Sequence, residues 1–85
     1  MKTDLALNVA DLHTTELGAA RIQKNLNLPD IDTVAYCRDK IQNATEIVRR
    51  GKNWYAYSDG IIITVNANSH TIITAHKQKH QKGVV

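Results

Sequence analysis

The sequence predicts an α+β domain, with two or three N-terminal helices packed on one face of a C-terminal four-stranded antiparallel meander. Three observations predict it. Apolar residues recur at helical spacing through residues 1–45, short runs of β-branched and aromatic residues fill 46–77, and brief turn signals separate those runs. Strands joined by such short turns are neighbours and antiparallel, and the helices must bury their apolar stripes against one face of the resulting sheet.

Taken in order, "TDLALNVADL" (3–12) reads as a short helix of undefined register. "TTELGAARIQKNLNL" (14–28) is a clearer one. Thr14 or Thr15 supplies the N-cap, Glu16 sits in the first turn where the helix dipole favours an acid, and Leu17 or Gly18, Ile22 and Leu26 share a face. Pro29 ends it. Asp30 or Asp32 then caps "DTVAYCRDKIQNA" (32–44), whose stripe is Val34, Cys37 and Ile41. The strands follow as "EIVRR", "NWYAY", "IIITVN" and "HTIITAH", separated by "GK", "SDG" and "ANS". Residues 78–85 read as a basic, frayed tail.

Composition bounds the function. Eighty-five residues make a single domain, and a chain with no Phe must build its core from aliphatic residues plus Trp54 and three tyrosines. No apolar run approaches the ~18 residues of a membrane span, and the acids near the N-terminus differ from a signal peptide, so a cytoplasmic protein without membrane contact is expected. Lone Cys37 offers neither a disulfide nor a metal spacing and reads as a small buried hydrophobe. Nucleotide-binding glycine motifs and zinc-protease histidines are missing, and the β half, with only Glu46 and Asp59, lacks paired carboxylates for two-metal chemistry, so no cofactor or metal is expected. Charge is segregated: residues 1–45 hold six acids against five bases, whereas 46–85 hold two acids against six bases. A basic half favours phosphate-bearing partners.

Alternation assigns faces. Ile61, Ile63 and Val65 face the helices, as do Trp54 and Ala56. Unbroken alternation along the last strand sends Thr71, Ile73 and Ala75 the same way and leaves His70, Ile72, Thr74 and His76 on the open face with Tyr55, Tyr57, Thr64 and Asn66. Arg49 or Arg50, Lys52 and Lys77 would rim it. Hydroxyls, rings, imidazole and cations on one surface suit RNA: cations hold phosphates and aromatic rings stack on bases.

"HTTELGAARIQKNLNL" (13–28), "GKNWY" (51–55) and "TIITAHK" (71–77) together resemble a family of small bacterial domains of unknown function, over roughly residues 5 to 80. More distantly, helices followed by a meander ending in a Thr-Ala-His element resemble the barnase–EndoU–colicin–RelE class of ribonuclease toxins. That second resemblance implies metal-independent cleavage by attack of the ribose 2′-hydroxyl on phosphate, and a cognate antitoxin as partner. It assigns no residues.

From the residues themselves, His76 is the first candidate acid or base, because imidazole exchanges protons near neutral pH. Thr74 and Tyr57 support it, and His13, with the threonines at the start of the first long helix, is a further catalytic candidate. Lys52, Lys77, Arg21, Arg50 and Tyr55 are the candidates for RNA or phosphate contact. The bland readings are a solvated strand end for His76, a helix-terminus contact for His13, a core-covering stem for Arg21 and a core anchor for Trp54. Two alternatives stay open: a non-enzymatic module binding nucleic acid or an acidic protein, and a homodimer through exposed Ile62 or Ile72.

Overall fold

A computed structural model describes residues 9–78. The first six residues of the expected N-terminal helix and nearly all of the expected tail lie outside the described residues. Among the described residues, two α-helices are followed by a four-stranded antiparallel sheet. Helix α1 spans Glu16–Leu26 and α2 Thr33–Gln42, and strands β1 (Glu46–Arg50), β2 (Asn53–Ser58), β3 (Ile61–Asn66) and β4 (Ile72–Lys77) pair in the order β1-β2-β3-β4.

Both helices start where a side chain can take up an orphan backbone N–H. Thr15 Oγ1 accepts from the Gly18 N–H at 3.0 Å, and Asp32 Oδ1 accepts from the Ala35 N–H at 3.1 Å. Asn27, in the left-handed region at φ 55°, closes α1. Gly18, Ile22 and Leu26 are buried while Leu17 is 78% exposed, so Gly18 is the one that faces the core. Cys37 and Ile41 of α2 are fully buried, with Val34 packed against the same cluster.

Where a third helix was expected, the described residues hold only a 3-10 turn, Val9–Asp11. Beyond it the chain is drawn straight: the His13 N–H donates to the His70 carbonyl at 3.3 Å and the Ile72 N–H to the His13 carbonyl at 2.7 Å. This parallel bridge to the start of β4 cannot coexist with a helical segment there. Leu12 is buried by the same step.

Trp54, Ala56, Ile61, Ile63, Val65, Ile72 and Ala75 pack with the helices in one cluster. Ile72 therefore departs from the alternation. Thr64 lies opposite Thr74 but Val65 opposite Ile72, so Ile73 is an extra residue on β4. A one-residue bulge reverses the phase of everything on its far side, turning Ile72 inward and leaving Ile73 37% exposed. Thr71 and Ile73 do not join Ala75 in the core, and His70, in the left-handed region at φ 60°, belongs to the turn and not to the strand face.

Candidate nucleic-acid interface

The face turned away from the helices is set by the strand register. Three rows cross it: Glu46, Tyr57, Ile62 and His76; then Val48, Tyr55, Thr64 and Thr74; then Arg50, Asn53 and Asn66. Thr64 at the centre is buried by its neighbours, and both tyrosines are half-buried. Rings and hydroxyls dominate the middle, and charge sits at the ends.

The two ends differ. At one, a two-residue connection at Gly51 (φ 57°) joins β1 to β2, and the turn at residues 67–70 lies beside it, the Ala67 N–H donating to the Lys52 carbonyl at 2.8 Å. Glycine is needed at 51 because this hairpin geometry demands a positive φ at its first central position. Arg49, Arg50 and Lys52 cluster here, all exposed, and among the described residues none pairs with a carboxylate. Arg49 points to the helix side, its guanidinium over the Trp54 ring at 5.5 Å and its Nε donating to the Gly51 carbonyl at 2.9 Å. Arg50 lies on the open face opposite Asn53.

The same end holds His13. Its Nδ1 lies 3.0 Å from the Asp11 carbonyl oxygen and its Nε2 3.0 Å from Thr71 Oγ1, which is 2.7 Å from Ser69 Oγ. A carbonyl can only accept, so Nδ1 carries a proton. The neutral ring then accepts from Thr71 through Nε2, and Thr71 accepts from Ser69. Ser69 Oγ also lies 3.3 Å from Asn66 Oδ1.

At the opposite end, a β2–β3 turn at Asp59 (φ 50°) and Gly60 (φ 78°) sits beside the close of β4. Asp59 accepts from Lys40 at 2.7 Å, a contact that raises the lysine's pKa, chiefly through this hydrogen bond. The Gln78 N–H donates to the Gly60 carbonyl at 2.7 Å. His76 is exposed on the open face here, with Ile62 between it and Tyr57, whereas Lys77 lies opposite Ile61 and so leaves the strand on the other face. Thr74 Oγ1 accepts from Asn25 of α1 at 3.4 Å.

The sequence candidates therefore separate. His13, Lys52 and Arg50 lie toward one end of the strands, with His13 beside β4 and Arg50 on β1 at opposite edges of the sheet, and His76, Lys77 and Tyr57 lie at the other end, roughly 15–20 Å away along the strands. Tyr55 and Thr74 lie in the row between, and Arg21 is exposed on α1. Ser69 and Thr71 were not among the sequence candidates. Only the "ANS" turn signal marked this stretch; in the structure the Asn66 side chain shapes the turn, accepting from the Asn68 and Ser69 N–H groups at 2.9 and 3.0 Å.

Elsewhere, a groove of about 440 Å³ between the helices carries Glu16, Asp30 and Asp32. Asp32 is occupied as an N-cap and Glu16 complements the α1 dipole, so helix stability accounts for both acids. Burial raises the Cys37 thiol from 9.0 to about 11, which keeps it protonated and inert at neutral pH. Among the described residues no helix is long and apolar enough to cross a membrane, and no three His, Cys, Asp or Glu side chains converge as metal ligands.

Fold and surface together define a small α+β domain whose meander sheet is covered by helices on one face and carries rings and hydroxyls on the other. A family model described as a protein of unknown function (DUF3781) matches residues 6–76, most of the chain, and the protein belongs to that family. No curated protein and no solved structure matches the chain.

Proposed function

We propose that this protein binds single-stranded RNA on the open sheet face, entering from the end formed by Gly51–Lys52 and residues 67–70. The observation that carries the reading is that Arg50, on the open face, and Lys52, on the adjoining hairpin, have no carboxylate partners among the described residues and lie next to the tyrosine row. Unpaired cations on a tight hairpin gain by displacing counterions from phosphates. Tyr55, in the adjoining row, offers a ring to a base, and stacking of that kind serves unpaired strands, not duplexes. Lys52 and Arg50 take phosphate roles, whereas Lys77 leaves β4 on the helix side and Arg21 stands on α1.

The test is fluorescence anisotropy with a labelled single-stranded RNA and a duplex of equal length, using the wild type and Tyr55→Ala. Tighter binding of the single strand, weakened by Tyr55→Ala, is expected. Equal binding of both, or none, would remove the reading.

A second reading, metal-independent cleavage, is favoured by His13. Its tautomer is fixed by the Asp11 carbonyl, its Nε2 already receives a hydroxyl, and it lies at the cationic end. A ribose 2′-hydroxyl replacing that of Thr71 would give its proton to Nε2 as O2′ bonds to phosphorus. The P–O5′ bond breaks, O5′ takes a proton from water, and the hydroxide so formed takes back the proton on Nε2. His76 lacks such a setting. Incubating RNA in EDTA with wild type, His13→Ala and His76→Ala separates the cases: cleavage lost only in His13→Ala supports this reading, and cleavage lost only in His76→Ala moves the site to the other end. No cleavage by the wild type leaves binding alone.

A further inference from the structure

The two edges of the sheet are treated differently. Along β4 the outer edge is sealed: residue 13 pairs with it through backbone bonds, Thr14 Oγ1 donates to the Ile72 carbonyl at 2.9 Å, and Asn25 Nδ2 donates to the Ala75 carbonyl at 3.3 Å. Unpaired strand edges template association, and these contacts block that route on one side. Strand β1 forms the other edge, and among the described residues nothing bonds to its outer backbone groups.

Which groups those are follows from the hairpin. A two-residue connection makes Arg50 and Asn53 a hydrogen-bonded pair, so alternation directs the N–H and C=O of Arg50, Val48 and Glu46 at β2 and those of Arg49 and Ile47 outward. A strand arriving antiparallel can therefore make four backbone hydrogen bonds, to Ile47 and Arg49.

We infer that this edge pairs with the same edge of a second copy, in the register centred on Val48, giving one continuous eight-stranded sheet. Charge selects both the occupant and the register. Centred on Val48, each Glu46 lies opposite Arg50 of the other copy and each Arg49 opposite Ile47. All four outward residues use their backbone groups in that arrangement. The Glu46–Arg50 and Val48–Val48 pairs fall at the non-hydrogen-bonded positions, where side chains approach most closely. Centring on Arg49 would oppose two arginines, and centring on Ile47 would set Glu46 against Val48 and carry Arg50 past the strand to Ala44. "EIVRR" is thus self-complementary in one register only. The two-fold axis stands perpendicular to the sheet, so the tyrosine faces of both copies join on one side. Ile72, once a candidate contact for a dimer, is buried and plays no part. This inference does not depend on RNA binding.

The experiment is sedimentation velocity without nucleic acid, from about 1 mM to about 1 µM, the range that brackets weak association. The wild type is expected to shift from a 9.5 kDa monomer to twice that mass as concentration rises. Glu46→Arg and Arg50→Glu each place like charges opposite one another twice, and each should weaken the dimer about 10-fold or more. The double exchange Glu46→Arg/Arg50→Glu restores the complement and should recover it. Circular dichroism checks that every variant is folded. A wild type that stays monomeric throughout, or a dimer indifferent to both single reversals, would overturn the inference, as would a double variant no tighter than the singles.

Discussion

Replacing Arg50 and Lys52 together by Gln is the perturbation that bears most directly on the proposed interface. Gln keeps stem length and polarity and removes charge, and Arg49 is left in place because its Nε holds the Gly51 carbonyl. Both target side chains are exposed and meet no carboxylate among the described residues, so no acid is left buried by their loss. Each phosphate neutralised on a single strand contributes about 0.7 to the slope of log K against log salt. Two contacts therefore carry about 1.4 of slope, and at roughly 0.1 M salt that is about 25-fold in affinity. The assay is anisotropy of a labelled single-stranded RNA between about 50 and 300 mM salt, a range in which the electrostatic part changes measurably. An Arg21→Gln/Lys77→Gln variant, altered by the same charge on other surfaces, serves as the comparison and should keep the wild-type slope. If the Arg50/Lys52 variant keeps its slope while the Arg21/Lys77 variant loses it, the reasoning is wrong and net charge alone, or another surface, drives binding.

Three further predictions concern the scaffold. Ile63 is fully buried in an inner strand, so Ile63→Ala removes three carbons from the core, about 2.4 kcal/mol of transfer with a cavity added, and urea unfolding should show a loss of about 3–4 kcal/mol; a loss below about 1 would mean the core closes over the gap. Gly18→Ala would set a methyl against Thr14 Oγ1 and close to Thr15 Oγ1, both fixed, the first on the Ile72 carbonyl and the second as the helix cap. Crowding should outweigh the better helix propensity of Ala and lower stability by about 1 kcal/mol or more, and a rise in melting temperature would contradict that. The Cys37 thiol is raised on folding, so its contribution is complete below about pH 9 and lost as pH climbs toward about 11. Roughly 2 to 3 kcal/mol of stability should fade across that window, measured by urea midpoints, and a Cys37→Ala variant should lack this part of the decline.

Local signals carried most of the fold. The caps at Thr15 and Asp32, the break after Leu28 and the three tight turns are each contained within a few residues, which is why two helices and a meander could be read directly. The bulge at Ile73 could not. "TIIT" alternates acceptably in either phase, and only packing against Ile22 and its neighbours decides that Ile72 and not Ile73 is buried. The site was legible as a list of residue types but not as a grouping. His13 and Thr71 are separated by 58 positions and meet through a parallel bridge that no local pattern announces. Lys77 follows His76 in the chain, yet a strand turns consecutive side chains to opposite faces, so adjacency in sequence was a poor guide to shared chemistry.

The most direct test of the interface is a titration of isotope-labelled protein with a short single-stranded RNA, following backbone amide shifts residue by residue. Changes led by Gly51, Lys52, Tyr55, Ser69 and Thr71 are expected, with the Asp59–Gly60 end and the groove between the helices unmoved. Changes led by Tyr57 and His76, or confined to the helices, would contradict the account.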